Sequence, residues 1–278
     1  MPNALVFDID NTLTPPRRTL EREMGEALRT LKVPFALAAG SDLGIVQGQF
    51  FEPLAEFGYR GGFDAFLCNG ATQYRCECDG AARIDLVEEF RFREHLGPAL
   101  FSRLMRLLET LLEDPEFRLP SSVPIVGDRI VDRSSMVNFA PGGRPRGANL
   151  SAEARESREA FVAFDAKSGY REKLLRTLKQ RFREFESVDL VVSLGGQTSF
   201  DIVVKGRDKT APVRKLIQEG VTEIIYFGDA LFEGGNDAAV SDFIREWALS
   251  QPCPVRAIQV DGPRDTLARL RELDVLAR

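Results

Sequence analysis

The chain has 278 residues, of which 44% are hydrophobic and 28% are charged, and its formal net charge is −5. This length exceeds that of one average domain and predicts one large domain or two modest ones. Proteins that bind nucleic acid are more often basic overall, so the negative charge disfavours that class.

The first part of the chain alternates apolar runs with an amphipathic segment. Apolar runs at 4–7, 33–39 and 63–68 predict buried strands, and the helical spacing of leucines and methionine at 20–31 predicts a helix between the first two. This alternation of strands and helices is typical of a parallel α/β sheet.

The middle of the chain has a different pattern, in which strands come in adjacent pairs. The predicted elements are, in order, a helix at 98–112, strands at 128–132 and 136–140, a loop at 141–147, a helical stretch at 151–185 broken near Ser168, and strands at 190–194 and 200–204. Adjacent strands favour antiparallel hairpins, so we expect an α+β unit here.

The α/β pattern returns from Asp208 onward. The predicted elements are a helix at 210–218, a strand at 223–227, a helix at 237–249, a strand at 255–260 and a helix at 265–276. The sequence therefore predicts an α/β fold with a Rossmann-like parallel-sheet core at 1–88 and 206–278, interrupted by an α+β domain at 89–205.

Cysteine and histidine usage narrows the chemistry. The four cysteines include one C-x-C pair and no C-x-x-C pair, which disfavours a structural zinc site and favours reduced thiols. The single histidine, His95, lies in a charged, helix-like segment, so carboxylate chemistry is favoured over a histidine mechanism. No apolar run of about 18 residues and no signal-like N-terminus is present, so we expect a cytoplasmic protein that binds no membrane.

Two carboxylates stand at the end of the first predicted strand. Asp8 and Asp10 follow the apolar run at 4–7, at the edge of the sheet where ligand crevices open in α/β folds. They could perform chemistry or hold a metal ion, or they could be solvated residues of a turn. The bare D-x-D pattern alone favours the turn.

Other predicted strand ends also carry polar residues. Ser41 follows the second strand, where its hydroxyl could bind an anion or cap the next helix. Asp229 and Asp237 follow a later strand, and with Asp8 they could form the oxygen-rich cluster that Mg²⁺ prefers. Lys209 could supply the cation that a phosphoryl group needs, although an isolated lysine is more often a solvated surface residue.

Four of these segments resemble one superfamily. DIDNT at 8–12, Ser41, Lys209 and GDALFEGGND at 228–237 resemble the four motifs of the haloacid dehalogenase-like phosphotransferases. The resemblance implies that the first aspartate, Asp8, is the nucleophile and that the second, Asp10, is the general acid and base. A carboxylate can accept a phosphoryl group as an acyl phosphate, which divides one difficult step into two.

The same resemblance implies a phosphoryl site and a Mg²⁺ site. Ser41 and Lys209 would hold the phosphoryl group. Mg²⁺ would offset the repulsion between the nucleophile and the phosphate dianion. The implied metal ligands are the acids of the first and fourth motifs, Asp8, Asp10, Asp229 and Asp237.

The inserted domain resembles one family within that superfamily. TPPR at 14–17, DRSSMVNFAPGGR at 132–144 and SLGGQTSFD at 193–201 resemble signatures of the eukaryotic-type phosphomannomutases, whose α+β cap is of type IIB. The similarity runs, with gaps, along most of the chain. In that family, arginines and a Ser-x-Asp pair bind the phosphate distal to the reacting one. The corresponding residues are Arg17, Arg133, Arg144, Arg155, Ser199 and Asp201.

The arginines have an alternative interpretation, and the chain departs from the family pattern. Isolated arginines more often pair with acids on a solvated face, whereas arginine forks within this motif suit bidentate phosphate binding. Asn11 stands where the family usually has Gly, 134–135 replace Asn-Gly, Glu233 replaces a proline, and the loop at 145–150 is longer. These changes flank the functional positions and bear on substrate choice more than on fold.

The resemblance implies a Mg²⁺-dependent mutase that interconverts mannose 6-phosphate and mannose 1-phosphate, with a sugar 1,6-bisphosphate as activator. It would act on hexose phosphates in GDP-mannose biosynthesis, as a possible homodimer through the cap. A Mg²⁺-dependent sugar-phosphate phosphatase on the same scaffold is the alternative. A protein that only binds phosphorylated ligands is disfavoured because Asp8 and Asp10 are both present.

Overall fold

The computed structural model describes residues 2–145 and 150–277. The chain divides into two compact units. The core unit comprises Met1–Glu89 and Gly206–Arg278, and the inserted unit comprises Phe90–Lys205. The first contains a sheet of mainly parallel strands with flanking helices, and the second contains helices with an antiparallel sheet, so the predicted fold class is confirmed.

The elements follow the chain in this order. The strands are β1 Ala4–Phe7, β2 Phe35–Ala38, β3 Arg60–Leu67, β4 Thr72–Asp79, β5 Ala82–Glu89, β6 Asp128–Asp132, β7 Val137–Arg144, β8 Leu190–Gly195, β9 Ser199–Val204, β10 Ile224–Gly228 and β11 Val255–Gln259. The helices are α1 Arg22–Arg29, α2 Leu43–Val46, α3 Glu52–Glu56, α4 Phe92–Glu113, α5 Ala152–Ser168, α6 Tyr170–Arg181, α7 Ala211–Gln218, α8 Ala238–Ala248 and α9 Pro263–Glu272. A π-helical turn, Gln47–Phe51, joins α2 to α3, and a 3₁₀ segment, Phe182–Val188, follows α6.

The core sheet has the strand order β11-β10-β1-β2-β3-β4-β5. The first five strands are parallel, and β1 lies between β10 and β2 with Phe7 opposite both Phe227 and Leu37. All four residues of β1 are apolar and buried, as expected for a parallel strand that is covered on both faces. The carboxyl ends of these strands meet at one edge, where Asp8 follows β1.

The hairpin of β4 and β5 was not predicted from the sequence. On β4, Cys76 and Cys78 face the core, whereas most of β5 is exposed at the end of the sheet. With one buried face and many charged residues, these strands lack the continuous apolar run that marks their parallel neighbours. Helix α4 likewise begins at Phe92, six residues before the predicted start at Pro98. Gly97, at φ +71, kinks the chain within this helix, and the predicted start lies directly after the kink.

The inserted unit has an antiparallel sheet of order β6-β7-β9-β8. Its core combines aromatic residues of β7, β9 and α5 with leucines of α4 and α6. The segment 141–144, predicted as a loop, belongs to β7, and residues 146–147 of that predicted loop lie outside the described residues. Gly143, at φ +86, lies close to Val126, and a Cβ at Gly143 would be 2.5 Å from the carbonyl oxygen of Val126. Glycine at this position therefore allows two backbone segments to pack closely and does not mark a loop.

Across residues 2–145 and 150–277, every helix is too short or too polar to cross a lipid bilayer.

Candidate active site

Asp8 lies in a buried cluster with a lysine. It follows β1 directly and is 3% exposed. Lys209 Nζ donates a hydrogen bond to Asp8 Oδ1 at 2.6 Å and another to Asp237 Oδ1 at 2.8 Å. Because the Lys209 side chain is fully buried, it is not the solvated surface lysine that its sequence context alone favoured.

Asp237, which precedes α8, is held by three donors. Besides Lys209, the Tyr226 hydroxyl donates to Oδ1 at 2.6 Å and the Ala230 backbone N–H donates to Oδ2 at 3.1 Å. Gly228 makes room for this carboxylate, since a Cβ there would lie 2.7 Å from Asp237 Oδ2. Sequence reasoning missed Tyr226, because a tyrosine within the apolar run of β10 looks like an ordinary core residue.

Three carboxylates form a group that could hold a metal ion. Asp8, Asp229 and Asp237 each offer an oxygen, and these oxygens lie within 4.8 Å of one another. The three carboxylates carry three negative charges and Lys209 carries one positive charge. One divalent cation would neutralise the remaining negative charge. Mg²⁺ prefers carboxylate oxygens, so the residues fit that ion. The structure does not bring the Asp10 carboxylate, the fourth predicted ligand, into this group.

The pKa values of the cluster reflect its burial first and its excess negative charge second. Burial raises the pKa of Asp8, and the charges of Asp237 and Asp229 raise it further against the opposing effect of Lys209. Burial and Asp237 also raise the pKa of Asp229. Burial alone would lower the pKa of Lys209, but the carboxylates of Asp237 and Asp8 outweigh it and raise the pKa, so the lysine stays protonated.

Asp10 follows Asp8 by two residues and has its own hydrogen bonds. Its Oδ1 accepts from the Arg17 backbone N–H at 2.9 Å and from Gln49 Nε2 at 2.7 Å. Gln49 Nε2 also lies 2.9 Å from Thr14 Oγ1 and is fully buried in the π-helical turn Gln47–Phe51. Such turns are frequent at functional sites. Sequence reasoning missed Gln49, because no regular spacing of apolar residues predicts a π-helical turn or shows which of its side chains are buried.

Ser41 and Arg17 are buried polar residues of the core unit. Ser41 follows β2 and is 6% exposed, and Arg17 is 8% exposed at φ +58. The cap of α2 is Asp42, whose Oδ1 accepts the Ile45 N–H at 3.2 Å. The capping role that the sequence left open for Ser41 therefore belongs to its neighbour.

In the inserted unit, the predicted Ser-x-Asp pair forms a buried polar group. Ser199 and Asp201 lie two residues apart on β9, so their side chains share one face. Asn138 of β7 donates to Ser199 Oγ at 3.0 Å and to Asp201 Oδ1 at 2.6 Å. The structure thus joins the two predicted residues and adds Asn138, whose role depends on strand pairing across about 60 residues of chain.

The three arginines predicted in the inserted unit lie at separate backbone positions. Arg133 follows β6 and is 8% exposed, whereas Arg144 ends β7 opposite Asp128, at the other end of the same strand pair. Arg155 is exposed on α5, and its guanidinium donates to the Leu150 carbonyl. Arg133 and Arg144 therefore lie at opposite ends of the β6–β7 pair, and Arg155 lies on a helix.

The chain matches known proteins along nearly all of its length. A family model described as eukaryotic phosphomannomutase matches residues 22–275. The phosphomannomutase of Saccharomyces cerevisiae is 33% identical over 276 residues, which are 98% of this chain and 94% of that protein. The phosphomannomutase of Encephalitozoon cuniculi is 31% identical over 268 residues, which are 95% of this chain and 91% of that protein.

A solved structure shares the fold at lower identity. A phosphatase of the haloalkanoate (HAD) superfamily from Bacteroides thetaiotaomicron aligns with a TM-score of 0.51 and 16% identity, over 99% of this chain and 96% of that chain. At this identity the likeness concerns the fold alone.

Proposed function

Because the chain belongs to the eukaryotic phosphomannomutase family, we propose that it interconverts mannose 6-phosphate and mannose 1-phosphate. The observation that supports this reaction best is the buried Asp8 at the end of β1, with Lys209 2.6 Å away and Asp229 and Asp237 beside it. A carboxylate in this setting can take up and release a phosphoryl group.

The proposed cycle begins when a sugar 1,6-bisphosphate transfers a phosphoryl group to Asp8. A mannose 1-phosphate then attacks phospho-Asp8 through its 6-hydroxyl and becomes the 1,6-bisphosphate. This intermediate reorients and returns its 1-phosphoryl group to Asp8, which leaves mannose 6-phosphate. A Mg²⁺ ion held by Asp8, Asp229 and Asp237 would supply positive charge against the phosphate oxygens.

Two residues are proposed to bind the phosphoryl group during its transfer. Lys209 is held in place by Asp8 and Asp237, so its ammonium meets the transferring group without reorganisation. Ser41 is buried at the end of β2, which lies beside β1 in parallel. Its hydroxyl is proposed to donate to the same phosphoryl oxygens.

Asp10 is proposed to move the proton of the sugar hydroxyl. The Arg17 N–H and the Gln49 amide both donate to Oδ1, which restrains the carboxylate and directs the transferred proton to Oδ2. In one half of the cycle Asp10 protonates the leaving sugar oxygen, and in the other it accepts the proton of the attacking hydroxyl.

Gln49→Leu should therefore slow transfer from sugar phosphates more than transfer from p-nitrophenyl phosphate, whose leaving group needs little protonation. We expect a loss of about 10- to 100-fold in kcat for the sugar phosphates, a part of the ~10²–10⁴ that acid–base catalysis contributes. Steady-state kinetics with both substrates measure this difference. Gln47→Leu is the matched control, because Gln47 lies in the same turn but is exposed. Equal losses on both substrates would show that Gln49 supports the fold alone.

Residues of the inserted unit, together with Arg17 of the core unit, are proposed to bind the phosphate that is not reacting. A mutase must hold its bisphosphate in both orientations, so it needs a second dianion site, and arginine forks suit that purpose. The buried Ser199–Asp201–Asn138 group offers further polar partners for the sugar phosphate. The proposed set is Arg17, Arg133, Arg144, Arg155, Ser199 and Asp201.

Arg144→Ala should impair isomerisation more than hydrolysis of p-nitrophenyl phosphate, because the aryl ester has no second phosphate. We expect a loss of about 10- to 100-fold in kcat/KM for mannose 1-phosphate, in line with the ~1.5–3 kcal/mol of a hydrogen bond to a charged group. Kinetics on both substrates test this, with Arg118→Ala as the control, since Arg118 is an exposed arginine of the same unit. A parallel loss on both substrates would contradict the assignment.

One incubation separates the mutase from a phosphatase on the same scaffold. The protein is mixed with mannose 1-phosphate, Mg²⁺ and a catalytic amount of a sugar 1,6-bisphosphate. Accumulation of mannose 6-phosphate supports the proposed function. Release of inorganic phosphate without mannose 6-phosphate would contradict it and favour the phosphatase.

Compartment, pathway and assembly remain predictions. The four cysteines are free thiols, which is typical of the reducing cytoplasm, where we propose the reaction takes place. Mannose 1-phosphate formed there would serve GDP-mannose biosynthesis. A homodimer through the inserted unit is predicted by the family resemblance.

A further inference from the structure

Asn11 has a backbone conformation that suits glycine. Its φ is +59, in the left-handed region, and its backbone N–H donates to the Thr14 carbonyl at 2.8 Å. Glycine adopts such a left-handed turn most easily, and asparagine is among the few other residues that adopt it readily. Glycine would adopt this backbone conformation equally well, so the conformation alone does not account for the asparagine side chain.

The Asn11 side chain reaches the acid cluster. Its Nδ2 donates to Asp229 Oδ2 at 3.0 Å, which joins the loop after β1 to the loop after β10. Its Oδ1 lies close to Gly262, at 3.6 Å from the place of a Cβ there. The amide therefore bonds the carboxylate and lies near a third loop of the core unit.

Different side-chain donors bond the carboxylates of the cluster, with Tyr226 as a second donor to Asp237. Lys209 bonds Asp8 and Asp237, and the side-chain bond to Asp229 comes from Asn11. A donor that bonds one oxygen of a metal-binding carboxylate fixes the orientation of the whole group, and such partners influence metal affinity strongly. A neutral amide does this without adding a positive charge that would repel the cation.

We propose that Asn11 is a positioning residue of the magnesium site, whose amide holds the Asp229 carboxylate in the orientation that faces Asp8 and Asp237. The inference rests on the proposed function only in that it takes this acid cluster as the Mg²⁺ site. Metal affinity is measured without sugar phosphates, so the two proposals fail independently.

The test is Asn11→Gly in the 278-residue chain. Melting temperatures recorded by circular dichroism across a series of Mg²⁺ concentrations give both the metal-free stability and the Mg²⁺ dissociation constant. We expect the dissociation constant to rise about 10-fold, at the lower end of the effect of removing a partner of a metal ligand. The metal-free melting temperature should not fall, because glycine adopts this backbone conformation without strain.

Ser134→Gly is the matched control. Ser134 also has a left-handed backbone, at φ +64, but lies in the inserted unit away from Asp229 in sequence, so its replacement should leave the dissociation constant unchanged. An unchanged dissociation constant in Asn11→Gly would overturn the proposal. So would a rise that appears only with a fall in metal-free melting temperature, or a wild-type protein that shows no response to Mg²⁺.

Discussion

Asp8→Asn should lower kcat for the conversion of mannose 1-phosphate by at least about 10⁴-fold, the scale seen when an enzyme loses its nucleophile. An amide has the shape of the carboxylate but cannot form an acyl phosphate. Steady-state kinetics in Mg²⁺ with a sugar 1,6-bisphosphate measure the loss.

The same substitution should not weaken the metal-free fold. Asp8 is one of three clustered carboxylates whose nearest positive charge is Lys209, which bonds only Asp8 and Asp237 among them, so the replacement of Asp8 relieves repulsion while Lys209 keeps its bond to Asp237. Thermal unfolding should show an unchanged or higher melting temperature. Asp85→Asn, which alters an exposed acid of β5, is the control and should leave activity unchanged. Activity in Asp8→Asn near that of Asp85→Asn would show that another group accepts the phosphoryl.

Lys209→Met should reduce both activity and stability. The lysine donates to Asp8 and Asp237 from a fully buried position, so its loss leaves two buried carboxylates without their counter-charge. We expect the free energy of unfolding to fall by about 3 kcal/mol in the metal-free protein. We also expect kcat/KM to fall about 10³-fold, because a preorganised donor to the phosphoryl group is removed.

Urea denaturation and steady-state kinetics test these two effects. Lys215→Met is the matched control, because Lys215 pairs with Glu219 near the surface, where such pairs contribute little to stability. The free energy of unfolding should change by less than about 1 kcal/mol in the control. If Lys209→Met were equally mild, the lysine would not balance the charge of the cluster.

The parallel part of the core sheet was predictable because its strands are buried on both faces. β1 and β10 read as short uninterrupted apolar runs, and they lie side by side within the parallel part of the sheet. The hairpin of β4 and β5 was not predictable in this way. Its strands are charged and partly exposed, and their pairing depends on the β3 edge that they extend.

The acids of the candidate site were identified from short motifs, whereas their partners were not. Asp8 and Asp229 stand in recognisable segments at strand ends. Gln49 and Tyr226 carry no such signal, because their roles depend on contacts with Asp10 and Asp237 that only folding creates. A buried amide or phenol is indistinguishable in sequence from a core residue until its partner is known.

The measurement that bears most directly on the proposed reaction is the position and fate of the transferred phosphoryl group. The protein is mixed with a ³²P-labelled sugar 1,6-bisphosphate, quenched in acid within milliseconds and mapped by peptide mass spectrometry. The label should appear on Asp8 and then pass to unlabelled mannose 1-phosphate added in a second mixing step, ending in mannose 6-phosphate. Label on another residue, or label lost only to water as inorganic phosphate, would contradict a mutase that works through Asp8.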